Sequence, residues 1–151
     1  MEKNDLFNSI FEMELRMAML LCVGDKRHFT IERILSLDFI ACYAHSFGFS
    51  NKNLHGNNSF MYSELSNRRE LIKEAIKPLV YKGIAKATID RGYLYQITDV
   101  GKNYISSLES EYAREYQLMA KVVINELDDY SDEELMKIIQ FKAESKKEGA
   151  K

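Results

Sequence analysis

The chain has 151 residues, 46% of them hydrophobic, with 21 basic and 23 acidic side chains and a formal net charge of −2. That length is enough to bury a real core and predicts one domain with room for a helical appendage. The near-neutral balance argues against a protein that lives mainly by phosphate contacts, which shows a basic excess.

Two cysteines, Cys22 and Cys42, fall in apolar helical stretches and predict buried thiols in a reducing compartment. The opening MEKNDLFNSIFEMELR carries charges throughout and so lacks the pattern of a secretory signal. No uncharged apolar run approaches membrane-spanning length. A soluble cytoplasmic protein with no membrane contact is the expectation.

In chain order, the first helix is predicted over residues 9–22, with Asn8 or Ser9 as N-cap and Glu12 in the first turn. Ile10, Phe11, Leu15, Ala18, Met19 and Cys22 recur at helical steps and make a wide apolar set, buried on more than one side. Residues 24–27, Gly-Asp-Lys-Arg, break it. Thr30 then caps a second, core helix through about residue 47, ended by Gly48. The polar, Asn-rich stretch 49–60 reads as a loop.

A long helix is expected over residues 64–82, with Leu71, Ile72, Ala75, Ile76, Leu79 and Val80 on its buried stripe. Pro78, the only proline, removes one ladder hydrogen bond and predicts a kink. Strands over 84–89 and 93–97 flank a turn at Asp90-Arg91-Gly92. Thr98 or Asp99 caps a helix to about residue 108, and a fifth helix covers 110–127 with Tyr112, Tyr116, Met119, Val123 and Leu127 along one side. Ser131 and the acidic residues after it start a last helix over 132–142, and the charged tail after Ala143 is expected to fray.

Helix, two-stranded wing, capped helix is the C-terminal half of a winged-helix domain. The expected fold class is therefore mainly α with a small β-wing, a winged-helix domain with extra N- and C-terminal helices. The expected division is residues 1–127 for the winged-helix domain with its N-terminal helices, and 128–151 for the C-terminal helix and charged tail.

Charge is unevenly spread. Residues 63–97 hold seven basic side chains (Arg68, Arg69, Lys73, Lys77, Lys82, Lys86, Arg91) against four acidic ones, a net of +3. From Glu109 onward eleven acidic and seven basic residues give −4. A wing that meets DNA or an acidic partner fits this distribution, with Lys73, Lys77, Lys86 and Arg91 as candidate DNA contacts. A solvated helix face with i,i+3 pairs, Glu70 with Lys73 and Glu74 with Lys77, fits it equally.

Catalytic and metal chemistry find no pattern. Cys42, His45 and His55 lie close in sequence, but no further Cys or His pair completes a tetrahedral set, so no metal is expected. No G-x-S-x-G, Walker A or H-E-x-x-H spacing occurs, so no catalytic residue and no cofactor are assigned. A small enzyme built on His45 or His55 would lack the rest of its constellation.

Several short pieces occur in a recognisable order: Phe7-Asn8-Ser9 with Glu12, Leu15 and Arg16; Leu37-Asp38-Phe39 leading to His45-Ser46; Leu54-His55; Glu64-Leu65 and Arg68-Arg69-Glu70-Leu71. Lys82-Gly83-Ile84, then Gly92 with Tyr95 and Thr98, and Leu108 to Tyr112 complete the set. In this order and spacing the chain resembles the small middle component of bacterial ABC-three-component systems. That is the accessory subunit found beside an SMC-like ATPase and an effector in Lamassu-type antiphage defence. The resemblance covers about residues 7–127 and departs from the family where Gly56, not proline, follows His55.

The resemblance implies a non-catalytic winged-helix subunit that clamps near the head or neck of an SMC-like coiled-coil ATPase. It would link the ATPase to an effector, often a nuclease, released or activated when foreign DNA is sensed. Within the matched pieces, Glu12, Arg16, Asp38, His45, His55, Arg68 and Arg69 are hardest to assign to folding. They form either a partner-binding set or an intramolecular polar network, for example Arg16 or Arg69 with Asp38. The alternative function is a free-standing winged-helix transcription regulator, dimerising through its terminal helices, with Arg68, Arg69 and Lys73 on phosphates.

Overall fold

Ser9 opens the first helix: its Oγ accepts the Glu12 N–H at 3.2 Å, satisfying one of the donors that a helix start leaves over. The computed structural model describes residues 9–56 and 61–149. Phe7, the alternative cap Asn8, the loop residues 57–60 and the last two residues of the tail lie outside the described residues. Helix α1, Ile10–Gly24, is buried around most of its circumference, with Met13, Met17, Ala18, Met19, Leu20 and Leu21 in the core. Burial on more than one side is as expected, but of the expected set only Ala18 and Met19 are fully buried; Ile10 and Phe11 are 42% and 70% exposed, and Met13, Met17, Leu20 and Leu21 take their place.

Helix α2, Ile31–Cys42, is capped by Thr30, whose Oγ1 accepts the Arg33 N–H at 3.0 Å. It ends earlier than the sequence suggests. The Cys42 carbonyl takes the His55 N–H at 3.2 Å, and the Ser46 N–H turns to the Tyr43 carbonyl at 2.9 Å. The following N–H groups of Phe47 and Gly48 also reach back three residues, so residues 43–49 are tight turns. Tyr43 and Ala44 remain buried there, which is why apolar periodicity alone extends the helix to residue 47.

A 3-10 turn, Met61–Glu64, leads into α3, Leu65–Tyr81, which holds Pro78 in its last turn and buries Ile72, Ala75, Ile76 and Leu79. Strands β1, Ala85–Ile89, and β2, Tyr93–Ile97, pair antiparallel, Ala85 opposite Ile97 and Ile89 opposite Tyr93. Arg91 and Gly92 take positive φ of 59° and 126° in the turn between them, the conformation for which a glycine is suited. On the far side of β2, Tyr95 exchanges both backbone hydrogen bonds with Phe29, at 2.8 and 2.9 Å.

Thr98 caps α4, Asp99–Ser106. Its Oγ1 accepts the Gly101 N–H at 3.0 Å and donates toward the Gly83 and Ile84 carbonyls. Gly101 lies so close to the Ile84 carbonyl that a Cβ there would overlap it. Helix α5, Glu111–Glu126, starts at Ser110 and packs on α1 and α2. Ser131 and Glu134 then cap each other's backbone N–H groups, at 2.9 and 3.1 Å, to start α6, Asp132–Gly149. Fraying after Ala143 is not what the structure has: the helix continues to Gly149. Ala, Glu and Lys are strong helix formers, and Gly149 is the first breaker after them. Leu135 and Ile139 of α6 join the same core as the other helices.

The described residues are thus mainly helical with one small antiparallel sheet, as expected. No helix among them is long and apolar enough to cross a membrane.

Candidate functional site

Three charged side chains meet at the centre of the helices with no exposure to solvent: Arg16 from α1, Asp38 from α2 and Arg68 from α3. Arg16 donates from Nε to Asp38 Oδ1 at 3.0 Å and from Nη2 to Oδ2 at 3.4 Å. Arg68 Nη1 donates to Oδ2 at 2.8 Å, and the buried Tyr116 hydroxyl of α5 donates to Oδ1 at 2.7 Å. One carboxylate therefore ties four helices together.

The second cation is balanced at the edge of the cluster. Arg68 Nη2 reaches Glu64 Oε2 at 3.3 Å, and the Tyr43 hydroxyl donates to the same oxygen at 3.2 Å. The Arg68 guanidinium also lies 5.4 and 5.7 Å from the ring centroids of Phe39 and Tyr43, close enough for cation–π attraction. Two arginines and two carboxylates cancel in charge, which is the condition for holding ions away from water.

Burial opposes ionisation of Asp38, but the guanidinium groups of Arg16 and Arg68 and the hydrogen bonds from Tyr116 and Arg16 outweigh it. Its carboxyl is held well below the usual carboxylate range. Arg68 feels the same contest from the other side: burial disfavours its charge, the Asp38 carboxylate outweighs burial, and its pKa rises. Burial, then the Asp38 charge, pushes the Cys42 thiol up to about 12 and the Tyr116 phenol well above its ordinary value. These groups are locked in single protonation states at neutral pH.

An aromatic chain leads outward from the cluster. Tyr116 stacks on Tyr112 with centroids 6.5 Å apart, and Tyr112 stacks on His55 at 6.3 Å. His55 Nε2 and the Tyr112 hydroxyl are 2.9 Å apart, and His55 is buried. Its backbone N–H on the Cys42 carbonyl fixes the loop against the end of α2.

A family model described as ABC-three component (ABC-3C) system Middle Component 2 matches residues 6–148. The chain belongs to that family. The middle component is an accessory part of a multi-component system, so it has partner subunits. No curated protein and no solved structure matches the chain.

Of the residues that the sequence singles out in this middle component, Arg16, Asp38 and Arg68 come together in the buried cluster, and His55 is buried beside it, reached through Tyr116 and Tyr112. Arg69 does not reach Asp38. It turns to Glu32 of α2 at 2.7 Å on the surface, because the next residue along a helix points about 100° away. Glu12 is half-buried in the first turn of α1, and its charge helps, after burial, to raise the Tyr112 phenol. His45 is exposed, with Nδ1 3.0 Å from the Ser50 carbonyl.

Cys42, His45 and His55 turn to Asp38, Ser50 and Tyr112 respectively and not to one point. Among the described residues no group of three His, Cys, Asp or Glu side chains is placed to hold a metal. Lys73 and Lys77 pair with Glu70 and Glu74, each at 3.4 Å, the i,i+3 arrangement expected of a solvated face. Lys86 and Arg91 are exposed on the hairpin.

Tyr116 is the partner that residue-type reasoning passes over, since an aromatic at helical spacing reads as core packing and its hydroxyl carries no separate signal. A second network also goes unannounced. Arg33 donates to the Leu127, Asp128 and Tyr130 carbonyls at 3.1, 3.2 and 2.7 Å and to Asp132 Oδ1 at 3.1 Å. Thr30 Oγ1 donates to Asp132 Oδ2 at 2.6 Å, and Arg27 Nε to Asp128 at 2.9 Å. The start of α2 thereby holds the corner between α5 and α6.

Proposed function

We propose that this middle component is a non-catalytic adaptor: a winged-helix subunit that joins an SMC-like ATPase to an effector, such as a nuclease, in a Lamassu-type response to foreign DNA. The observation that carries the reading is that the buried charged groups satisfy one another while several large apolar side chains stand on the outside. Arg16, Asp38 and Arg68 are spent on holding helices together, while Phe11, Tyr81, Ile89, Tyr93, Leu118 and Phe141 stand at least 60% exposed. Tyr81 and Tyr93 line one apolar groove together, and a contiguous exposed apolar surface of that kind is the sort that another chain covers. Family membership supplies the reason for such chains to exist. Residues 1–127 are the winged-helix unit in this reading, and 128–151 its appended helix and tail.

The test is co-expression with the other two components of its own system, followed by capture through a tag on the middle component. Recovery of a coiled-coil ATPase and an effector chain in fixed ratio is the expected result. A protein that purifies alone, whatever the expression level of its neighbours, overturns the adaptor reading. DNA contact through Lys73, Lys77, Lys86 and Arg91 belongs to the assembled complex in this view, and a duplex that binds the isolated chain steeply with falling salt would instead favour a free-standing regulator.

A further inference from the structure

The free edge of the hairpin is oriented by its own hydrogen bonds. Tyr95 sends both its N–H and its carbonyl to Phe29, away from β1. Opposite residues in an antiparallel pair alternate between bonded and non-bonded, so the Ala87–Tyr95 pair is non-bonded and Lys86 and Thr88 carry the ladder to β2. The N–H and carbonyl groups of Ala87 and Ile89 therefore point outward. No described residue hydrogen-bonds to them. An exposed edge strand of this kind is a template for another strand.

Beside that edge the sheet face and α3 form an apolar groove of about 290 Å³. Its walls are Ile76, Val80 and Tyr81 on the helix and Ala87, Tyr93 and Tyr95 on the sheet. Tyr81 is 93% and Ile89 75% exposed, so the apolar surface runs on to the hairpin tip. The one charged wall residue is Lys77. On the opposite face of the same strand stands Lys86, exposed and without an ion pair among the described residues. Asp90 and Arg91 at the tip carry opposite formal charges.

We propose that the β1 edge accepts an extended segment of another component of the system as an added strand. This rests on the adaptor reading. The segment is about five residues long, the usual length of a strand, with apolar side chains entering the groove at every second position and acidic ones between them facing Lys86. Main-chain bonds to Ala87 and Ile89 supply affinity, and the alternation supplies specificity. A DNA backbone fits this surface poorly: it has no use for a strand edge or an apolar groove, and it would leave Tyr81 and Tyr93 bare.

The experiment compares amide hydrogen exchange of the middle component alone with that of the purified three-component assembly, together with the variants Ala87→Pro and Lys86→Glu. Proline at 87 deletes an outward N–H and leaves the ladder to β2 intact. In the assembly the Ala87 and Ile89 amides become protected, Ala87→Pro weakens the affinity about tenfold or more, and Lys86→Glu weakens it most at low salt. Should Ala87→Pro fail to fold, as judged by its core amides, the protection pattern and Lys86→Glu carry the test. An assembly that forms with those amides still exchanging freely and both variants binding as the parent overturns the strand proposal while the adaptor reading stands. Protection produced by a short DNA duplex, or by a second copy of the chain at high concentration, overturns it in favour of that occupant. Absence of any assembly sinks both readings together.

Discussion

Asp38 is the residue on which the interior depends. Replacing it by Asn keeps the shape but leaves two buried guanidinium groups facing a neutral amide. Breaking a buried ion pair from one side costs about 3–5 kcal/mol, so we expect Asp38→Asn to lower denaturant stability by that order, measured by urea unfolding. The pH dependence follows from the direction of its shift. The folded carboxyl lies below its unfolded value of about 3.9. Its contribution is therefore complete above that value and is lost as pH falls below about 4 toward the depressed folded value. Thermal melts between pH 2 and 7 should show a steep acid limb in the parent and a flatter one in Asp38→Asn. Equal slopes would mean that Asp38 does not drive the acid response. That Arg16 and Asp38 are of interest is legible in the sequence, because charges stand inside apolar runs such as MELRMAML and SLDFIA. Which neighbour meets Asp38 is not. Arg68 and Arg69 are equivalent as residue types, and only the rotation of α3 against α2 sends one inward and the other to Glu32.

Elements are held by their ends. Thr98 and Gly101 press the start of α4 onto the junction of α3 and β1, where Ile84 accepts from both the Thr98 N–H, at 3.1 Å, and its hydroxyl, at 2.9 Å. Gly101→Ala should cost about 1–3 kcal/mol by overpacking, and Thr98→Ala about 1 kcal/mol or more through the lost cap. Parent-like melting of Gly101→Ala would show that the contact relaxes freely. Arg33 performs the matching task at the other end of the molecule. With four acceptors and a largely buried side chain, its replacement by Ala should cost about 2 kcal/mol and speed amide exchange selectively in α6. Uniform acceleration across the chain would contradict a local role. Caps at Ser9, Thr30, Thr98 and Ser131 are readable in advance because their chemistry is local, whereas Ser110 reads as the first helical residue and proves to be the cap. The end of α2 is not, since it depends on His55 arriving from thirteen positions further on to take the Cys42 carbonyl. The extension of α6 was legible in its Ala, Glu and Lys content, and charge in a terminal segment is a poor guide to fraying when those residues carry it.

The whole molecule combines an interior locked by ion pairs with several large apolar side chains left on its surface. Order and type of elements follow from periodicity, capping and the single hairpin turn, whereas the outward aim of the Ala87 amide follows from the register set at that turn, and Phe29 docks on β2 from the far side, which no local pattern encodes. The Asp38 carboxylate receives donors from α1, α3 and α5 while sitting on α2. Departure of α1, α2 or α3 breaks an ion pair of the cluster, and departure of α5 removes the Tyr116 hydrogen bond from the carboxylate. Partly unfolded forms are thereby penalised beyond the loss of their apolar contacts, and the chain should open as one cooperative unit. Amides in the middle of the four helices are then expected to exchange with a common opening free energy, and limited proteolysis should yield intact chain and small peptides with no long-lived fragment between them. For a subunit that waits on partners, all-or-none folding of this kind means that it is either ready to dock or open to degradation.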